Sequence, residues 1–206
     1  MTPGHLPDPA LPLFPLQAVL FPDGLLELKI FETRYLDLIA GCMREQSPFG
    51  VVALKSGSET RVSGAPIALF DTGTLAELIE VDSAEANILL VRCRGTTRFS
   101  LGASEQQADG LWLGDAKPLA DDPVVAPAAS HANVVKSLVD AVATLSAQGA
   151  KPFLEPHRFE SAGWVANRWC EILPLPVDAK HRLLTLDPLA RLDIIDSLMR
   201  IRRTAS

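Results

Sequence analysis

His157 lies close to Glu155 and Glu160, and imidazole set among carboxylates is zinc-ligand chemistry. Prolines interrupt that stretch, and no two of the four histidines stand at helical i, i+4 spacing, so no metal site is expected. Cys42, Cys93 and Cys170 are widely spaced with no C-x-x-C, which reads as free buried thiols rather than a zinc or disulfide framework. Glu77 and Glu80 are a carboxylate pair of the kind acid–base catalysis uses. On the strand read below they point opposite ways. The chain has no Gly-Lys for a phosphate-cradling loop, no G-x-G-x-x-G, no G-x-S-x-G, no S-x-x-K and no H-E-x-x-H. No catalytic residue, cofactor site or metal ligand follows from these residues, and neither enzyme activity nor a cofactor is expected.

The elements that could position a site come from composition and periodicity. The chain has 206 residues and a formal net charge of −6. Hydrophobic residues are 48% and charged residues 21%, ordinary for a folded protein of one large or two small domains. Residues 1–118 hold 9 Lys+Arg and 15 Asp+Glu, whereas residues 119–206 hold 10 of each. An acidic first half argues against nucleic acid, whose binding relies on Lys and Arg to displace counterions. The Pro-rich start lacks a basic leader, and no apolar run approaches the ~18 residues of a membrane span. A cytoplasmic protein with no membrane partner is expected.

Strand signal fills Gly73–Pro118, and shorter strands, one helix and a polar loop at Lys55–Gly64 precede it. Residues 13–21 are apolar and β-favouring, with Pro15 marking an edge or bulge. Leu26, Leu28 and Ile30 alternate with Glu27 and Lys29, a strand with one wet face. The period then switches: Tyr35, Leu38, Ile39, Cys42 and Met43 fall on one stripe of a helix over Glu32–Gln46. Strands are read at Phe49–Leu54, Thr74–Val81, Ile88–Arg94, Thr96–Leu101 and Leu111–Lys117, with turns between, including one near Gly95. Many short strands suggest a barrel or closed sheet.

Residues 119–130, LADDPVVAPAAS, break the composition and read as a linker or extended strap. Helical periods follow at Ala132–Gln148, capped by Gly149, then at Phe159–Leu173 and Asp178–Leu186. A last helix starts at Asp187-Pro188, with Asp as N-cap and Pro in the first turn. Arg200, Arg202 and Arg203 fall near its C-terminus, where cations suit the helix dipole. Trp164 and Trp169 are five residues apart, about 140° around a helix, so one is expected in the core and the other on an exposed contact patch.

Residues 11–35, LPLFPLQAVLFPDGLLELKIFETRY, resemble the opening of the N-terminal substrate-binding domain of Lon proteases. Leu13-Phe14-Pro15-Leu16, Val19-Leu20-Phe21-Pro22 and Ile30-Phe31-Glu32-x-Arg34-Tyr35 match that pattern in order and spacing. Asp71 to Leu78 resembles the family's G-T-x-A-x-I strand, and Gly95 with Arg98-Phe99 its G-x-x-R-F hairpin. Ile172 to Leu175, Lys180, Leu183-Leu184 and Arg191-Leu192 resemble its helical ending. Asp23 departs from the family, standing where Gly usually follows Phe-Pro. Lys29 and Thr33 replace the frequent His and Pro.

The resemblance implies an α+β fold: a PUA-like β-barrel with an early helix over residues 1–118, a linker over 119–130, and a C-terminal helical bundle over 131–206. It implies a stand-alone form without the ATPase and peptidase modules. The function implied is non-catalytic binding of unfolded or apolar polypeptide segments, or of a partner protein such as full-length Lon. An adaptor or regulator role in protein quality control would follow. The alternative is a PUA-like binder of a small molecule or nucleic acid. Phe31, Glu32, Arg34 and Tyr35, with Trp164 and Trp169, are the candidate residues for either a structural junction or a partner contact.

Overall fold

The computed structural model describes residues 10–57, 67–85 and 87–204. Among these residues it is a mixed α+β structure with six strands and five α-helices, and the chain divides into two compact units, Met1–Ala120 and Asp121–Ser206.

The first unit holds β1 (Leu11–Leu16), β2 (Leu25–Ile30), α1 (Thr33–Glu45), β3 (Phe49–Ser56), β4 (Ala68–Glu85), β5 (Ile88–Gln106) and β6 (Trp112–Pro118). The sheet order is β2-β5-β4-β3-β1-β6, and a further β5–β6 pairing returns the ladder to β5. Five strands thus form a closed ring of pairings, with β2 attached outside it. Leu13, Val52 and Phe99 meet Leu69, Leu75, Leu101 and Trp112 in one apolar cluster. These come from all five ring strands, so the cluster fills the ring's interior. A second cluster joins the opposite faces of β1, β3 and β5 to Tyr35, Leu38, Ile39 and Cys42 of α1. Strands β1 and β3 are therefore buried on both faces, which is why 49–54 is a continuous apolar run.

Pro15 sits in an interior strand, yet β6 pairs only with Leu11–Leu13, so at Pro15 only β3 is alongside. The missing N–H falls where one edge is open. The sheet corrects the expected turn at Gly95. Strand β5 runs unbroken through it, bending at a register shift opposite Thr74–Ala76. The loop after β1 lies across this point: Asp23 N–H donates to Gly95 O at 2.7 Å, and Gly95 N–H donates to Gly24 O at 2.9 Å. A Cβ on Gly95 would lie 2.3 Å from Phe21 O, so close backbone approach, not a chain reversal, requires this glycine. Asp23 has φ +59°, which explains why glycine suits that place and why Asp is tolerated there. Its carboxylate also accepts from Arg94 at 2.6 Å.

The second unit holds α2 (Ala132–Ala147), α3 (Ala162–Ile172), α4 (Val177–Leu184) and α5 (Pro188–Thr204), preceded by a 3-10 turn at Ala129–His131. Gly149, at φ +81°, ends α2 in a Schellman arrangement: Ala150 N–H donates to Leu145 O and Gly149 N–H to Ser146 O. Asp187 Oδ1 accepts from Leu189 N–H, capping α5. Helix α3 begins three residues later than its periodicity suggested, because Ser161 Oγ accepts the Trp164 N–H and fixes the start. Arg200 pairs with Asp196 at 2.6 Å; the side chains of Arg202 and Arg203 lie outside the described residues. The segment before α2 is bonded into this unit, with Val125 O accepting from Ala162 N–H and Asp122 meeting Arg191.

Candidate functional site

The strand-to-helix junction at Phe31–Tyr35 is built from local signals. Glu32 has extended backbone and caps α1, its carbonyl accepting from the N–H groups of Tyr35 and Leu36. Its carboxylate makes no cap bond. It pairs instead with Arg34 at 2.8 Å. Arg34 is buried, donates through Nη1 to Gly110 O at 3.1 Å, and stacks its guanidinium 4.6 Å from the Tyr35 ring centroid. Tyr35 in turn stacks on Phe14 at 4.0 Å. Arg34 therefore ties the start of α1 to the β5–β6 turn, 76 residues along the chain. Arg34 and Tyr35 are buried and Glu32 is partly so, whereas Phe31 is 57% exposed.

Trp164 and Trp169 do not divide into one core and one surface residue: both are buried. The two rings stand about 140° apart around the axis, but α3 is buried on every side from Ala162 to Cys170, so no angle around it is exposed. Trp169 Nε1 donates to Val134 O at 3.1 Å, satisfying its polar end. Trp164 packs edge-on to Phe153 and Phe159, with the Arg168 guanidinium 5.5 Å from its ring. His157 joins these aromatics, its ring 5.7 Å from both Phe159 and Trp164. Among the described residues no group of three His, Cys, Asp or Glu side chains could hold a metal ion.

A groove of about 450 Å³ opens in the first unit. One wall is the end of α1 and the chain beyond it, with Met43, Gln46 and Pro48. The other is residues 77–81 of β4. Two departures from the sequence reading create it. Met43 falls on the apolar stripe of α1 but is 55% exposed: Leu38 and Cys42 join the core cluster, whereas Met43 lines the open groove opposite β4. Glu77 and Glu80, read as facing opposite ways, share one face: a register shift between Leu78 and Glu80 inserts an extra residue. Glu77 is opposite Arg94, and Glu80 is opposite Arg92. Arg92 pairs with Glu80 at 2.9 Å and with Glu27 at 3.4 Å. The bulge also leaves Ile79 47% exposed at the groove.

The three cysteines are free and buried. Burial pushes the Cys93 thiol up to about 12, with Cys42 nearby adding to it, and pushes Cys170 up to about 12 against the pull of Arg191. Burial raises Cys42 too. The fold thus favours the protonated thiols. Their contribution to stability is complete below the ordinary thiol value of 9.0 and is lost as pH rises toward 12. Urea midpoints are expected to fall steadily between about pH 9 and pH 11. At pH 8, a thiol reagent should leave the native chain unmodified and label all three thiols in urea. Rapid labelling of the native chain would contradict this burial.

The groove, walled in part by the half-exposed Met43 and Ile79, lies at the end of α1 away from the Phe31–Tyr35 junction. The family model for the ATP-dependent protease La (LON) substrate-binding domain matches residues 10–200. The chain belongs to that family, and it is a substrate-binding module of the Lon N-terminal kind. A Lon N-terminal domain protein from Xanthomonas campestris is similar in structure, with TM-score 0.71 and 30% identity over 91% of this chain and 97% of that one. The N-terminal domain of Mycobacterium avium complex Lon protease shares the fold at TM-score 0.62 and 14% identity, over 90% of this chain and 95% of that one. Among curated proteins no match is found. Among the described residues, no helix is long and apolar enough to cross a membrane.

Proposed function

We propose that this chain binds exposed apolar segments of unfolded polypeptides without catalysis, and acts as an adaptor or regulator in protein quality control. The observation that carries this reading is the groove bounded by Met43 and Ile79, two large apolar side chains about half exposed to solvent. Burying roughly 300 Å² of apolar surface at about 25 cal/mol per Å² gives about 7 kcal/mol gross, before the costs of association. The net affinity is weak and tolerant of sequence, which suits a receptor for many segments. Phe31 supplies a further exposed contact, while the burial of Arg34, Tyr35, Trp164 and Trp169 supports structural roles for them. Glu32, bonded to Arg34, goes with them.

The ring of strand pairings supports a PUA-like barrel over residues 1–118. The four helices after the 119–130 segment support a bundle. On the outer face, Arg92 and Arg94 are paired with carboxylates, which counts against a phosphate track. Three unpaired thiols support a reducing, cytoplasmic setting. The test is incubation of the purified chain with casein, with and without ATP: casein is expected to stay intact in both. Cleavage in either would overturn the non-catalytic reading. Affinity purification from the native host decides the adaptor role, which requires full-length Lon to co-purify.

A further inference from the structure

Strand β4 is paired differently along its two halves. Up to Ala76 it lies between β3 and β5, and the last β3 partner is Phe49, opposite Ala76. From Glu77 to Glu85 its pairing is with β5 alone, and among the described residues no strand covers the other edge. Such an edge presents a row of backbone N–H and C=O groups, a template for one more strand. Here the free edge forms a wall of the groove, facing Met43 and Pro48. Pro48 has no N–H, and it stands just before Phe49, where the β3–β4 ladder begins.

Natural edges are kept from pairing with copies of themselves by bulges and charges. Both devices are present: register shifts at Leu78/Glu80 and Ser83/Glu85, and carboxylates at Glu77, Glu80, Asp82 and Glu85. Against a second copy of this chain, those carboxylates would oppose carboxylates, which destabilises a strand pair. Against a strand carrying Lys or Arg, Glu77, Asp82 and Glu85 attract, while Glu80 is already paired with Arg92 at 2.9 Å. The charge pattern therefore excludes one occupant and selects another.

We propose that the free edge of β4, Glu77–Glu85, binds an extended apolar segment flanked by Lys or Arg by adding it to the sheet as a strand, with its apolar side chains set against Met43 and Ile79. This rests on the polypeptide-binding reading and specifies where, and in what conformation, the segment is held. The residues Glu77–Val81, with one inserted at the bulge, stand opposite four residues of β5 and offer roughly 13 Å of edge at about 3.3 Å per residue, enough for a four-residue strand. Main-chain bonds carry the affinity in this mode and read no sequence, so many segments qualify.

The test uses the full chain and labelled peptides: a Val-Thr repeat flanked by lysines, the same repeat flanked by glutamates, and two lysine-flanked versions N-methylated on one or the other set of alternate residues. The lysine-flanked peptide is expected to bind saturably, and the glutamate-flanked one at least about tenfold more weakly. One set of N-methyl groups should weaken binding at least about tenfold, and the other set should leave it within about twofold, because only one set faces β4. Amide exchange should slow within residues 77–85, and E77K should weaken the lysine-flanked peptide about fivefold. If the peptide binds but both methylated forms bind equally well, or protection falls outside residues 77–85, the edge site is overturned while polypeptide binding stands. If casein binds and none of the peptides does, the edge site is likewise overturned. If neither casein nor peptide binds, both readings fall.

Discussion

Arg191→Ala is expected to destabilise the helical unit by about 3–5 kcal/mol, the cost of breaking a buried charged network on one side. Arg191 is fully buried. Its Nε donates to Leu183 O at 2.7 Å, and its Nη2 to Leu186 O at 2.7 Å and Leu184 O at 3.3 Å. Its Nη1 donates to Asp122 Oδ2 at 2.9 Å and to Asn167 Oδ1. Leu183 and Leu184 end α4, where carbonyls have no partner within the helix and the dipole is negative. One guanidinium thus caps α4 from α5 and holds α3 and the residue 122 strap in the same network. Truncation removes a charged donor from the carbonyls of Leu183, Leu184 and Leu186, from Asn167 Oδ1 and from the Asp122 carboxylate. Lysine cannot repair this, since three donors on a single nitrogen do not match a planar fork. Urea unfolding followed by the fluorescence of buried Trp164 and Trp169 gives the readout. A loss below about 1 kcal/mol would contradict the capping role.

Gly73→Ala should cost about 3 kcal/mol or more in the first unit, at or beyond the upper end of ordinary overpacking. A Cβ there would lie 2.4 Å from the Phe99 ring and 2.5 Å from Val51 O. The Phe99 ring lies over Gly73 and also over Gly50, where a Cβ would approach it to 2.9 Å. The ring can shift, at the expense of the apolar cluster it shares with Leu13 and Val52. The Val51 carbonyl cannot shift without disturbing the β3–β4 ladder. Pairing G73A with F99L separates the two contacts: relief of the ring should recover only part of the loss. Full recovery in the double variant would show that the carbonyl contact is unimportant.

Much of this architecture is local and therefore legible in the residues. The alternation of Leu26, Leu28 and Ile30, the stripe of α1 and the Asp187-Pro188 start all depend on neighbours within one or two turns. What escaped the sequence depends on pairing. Gly95 looks like a turn because its role, admitting the Phe21 carbonyl, is fulfilled by a residue 74 positions earlier. Glu77 and Glu80 share a face only because of an inserted residue, and a bulge has no periodic signature. Trp164 and Trp169 are both buried because helices and loops surround α3, which its own sequence does not state. The groove escaped for the same reason: the edge of β4 is free only because β3 stops pairing at Phe49. The Lon-type motif, by contrast, is legible as residues and as physics, since Arg34 and Tyr35 form the junction with Gly110 and Phe14.

The central claim is that this chain is a receptor for exposed apolar polypeptide. Its most direct test is fluorescence anisotropy of labelled, permanently unfolded casein titrated with the purified chain, beside a folded protein of similar size and charge. The account predicts saturable binding of casein with a Kd in the micromolar range or weaker, reduced by F31A and by M43D without loss of stability, and no binding of the folded control. Flat anisotropy for casein at all concentrations, or equal binding of the folded control, would contradict it.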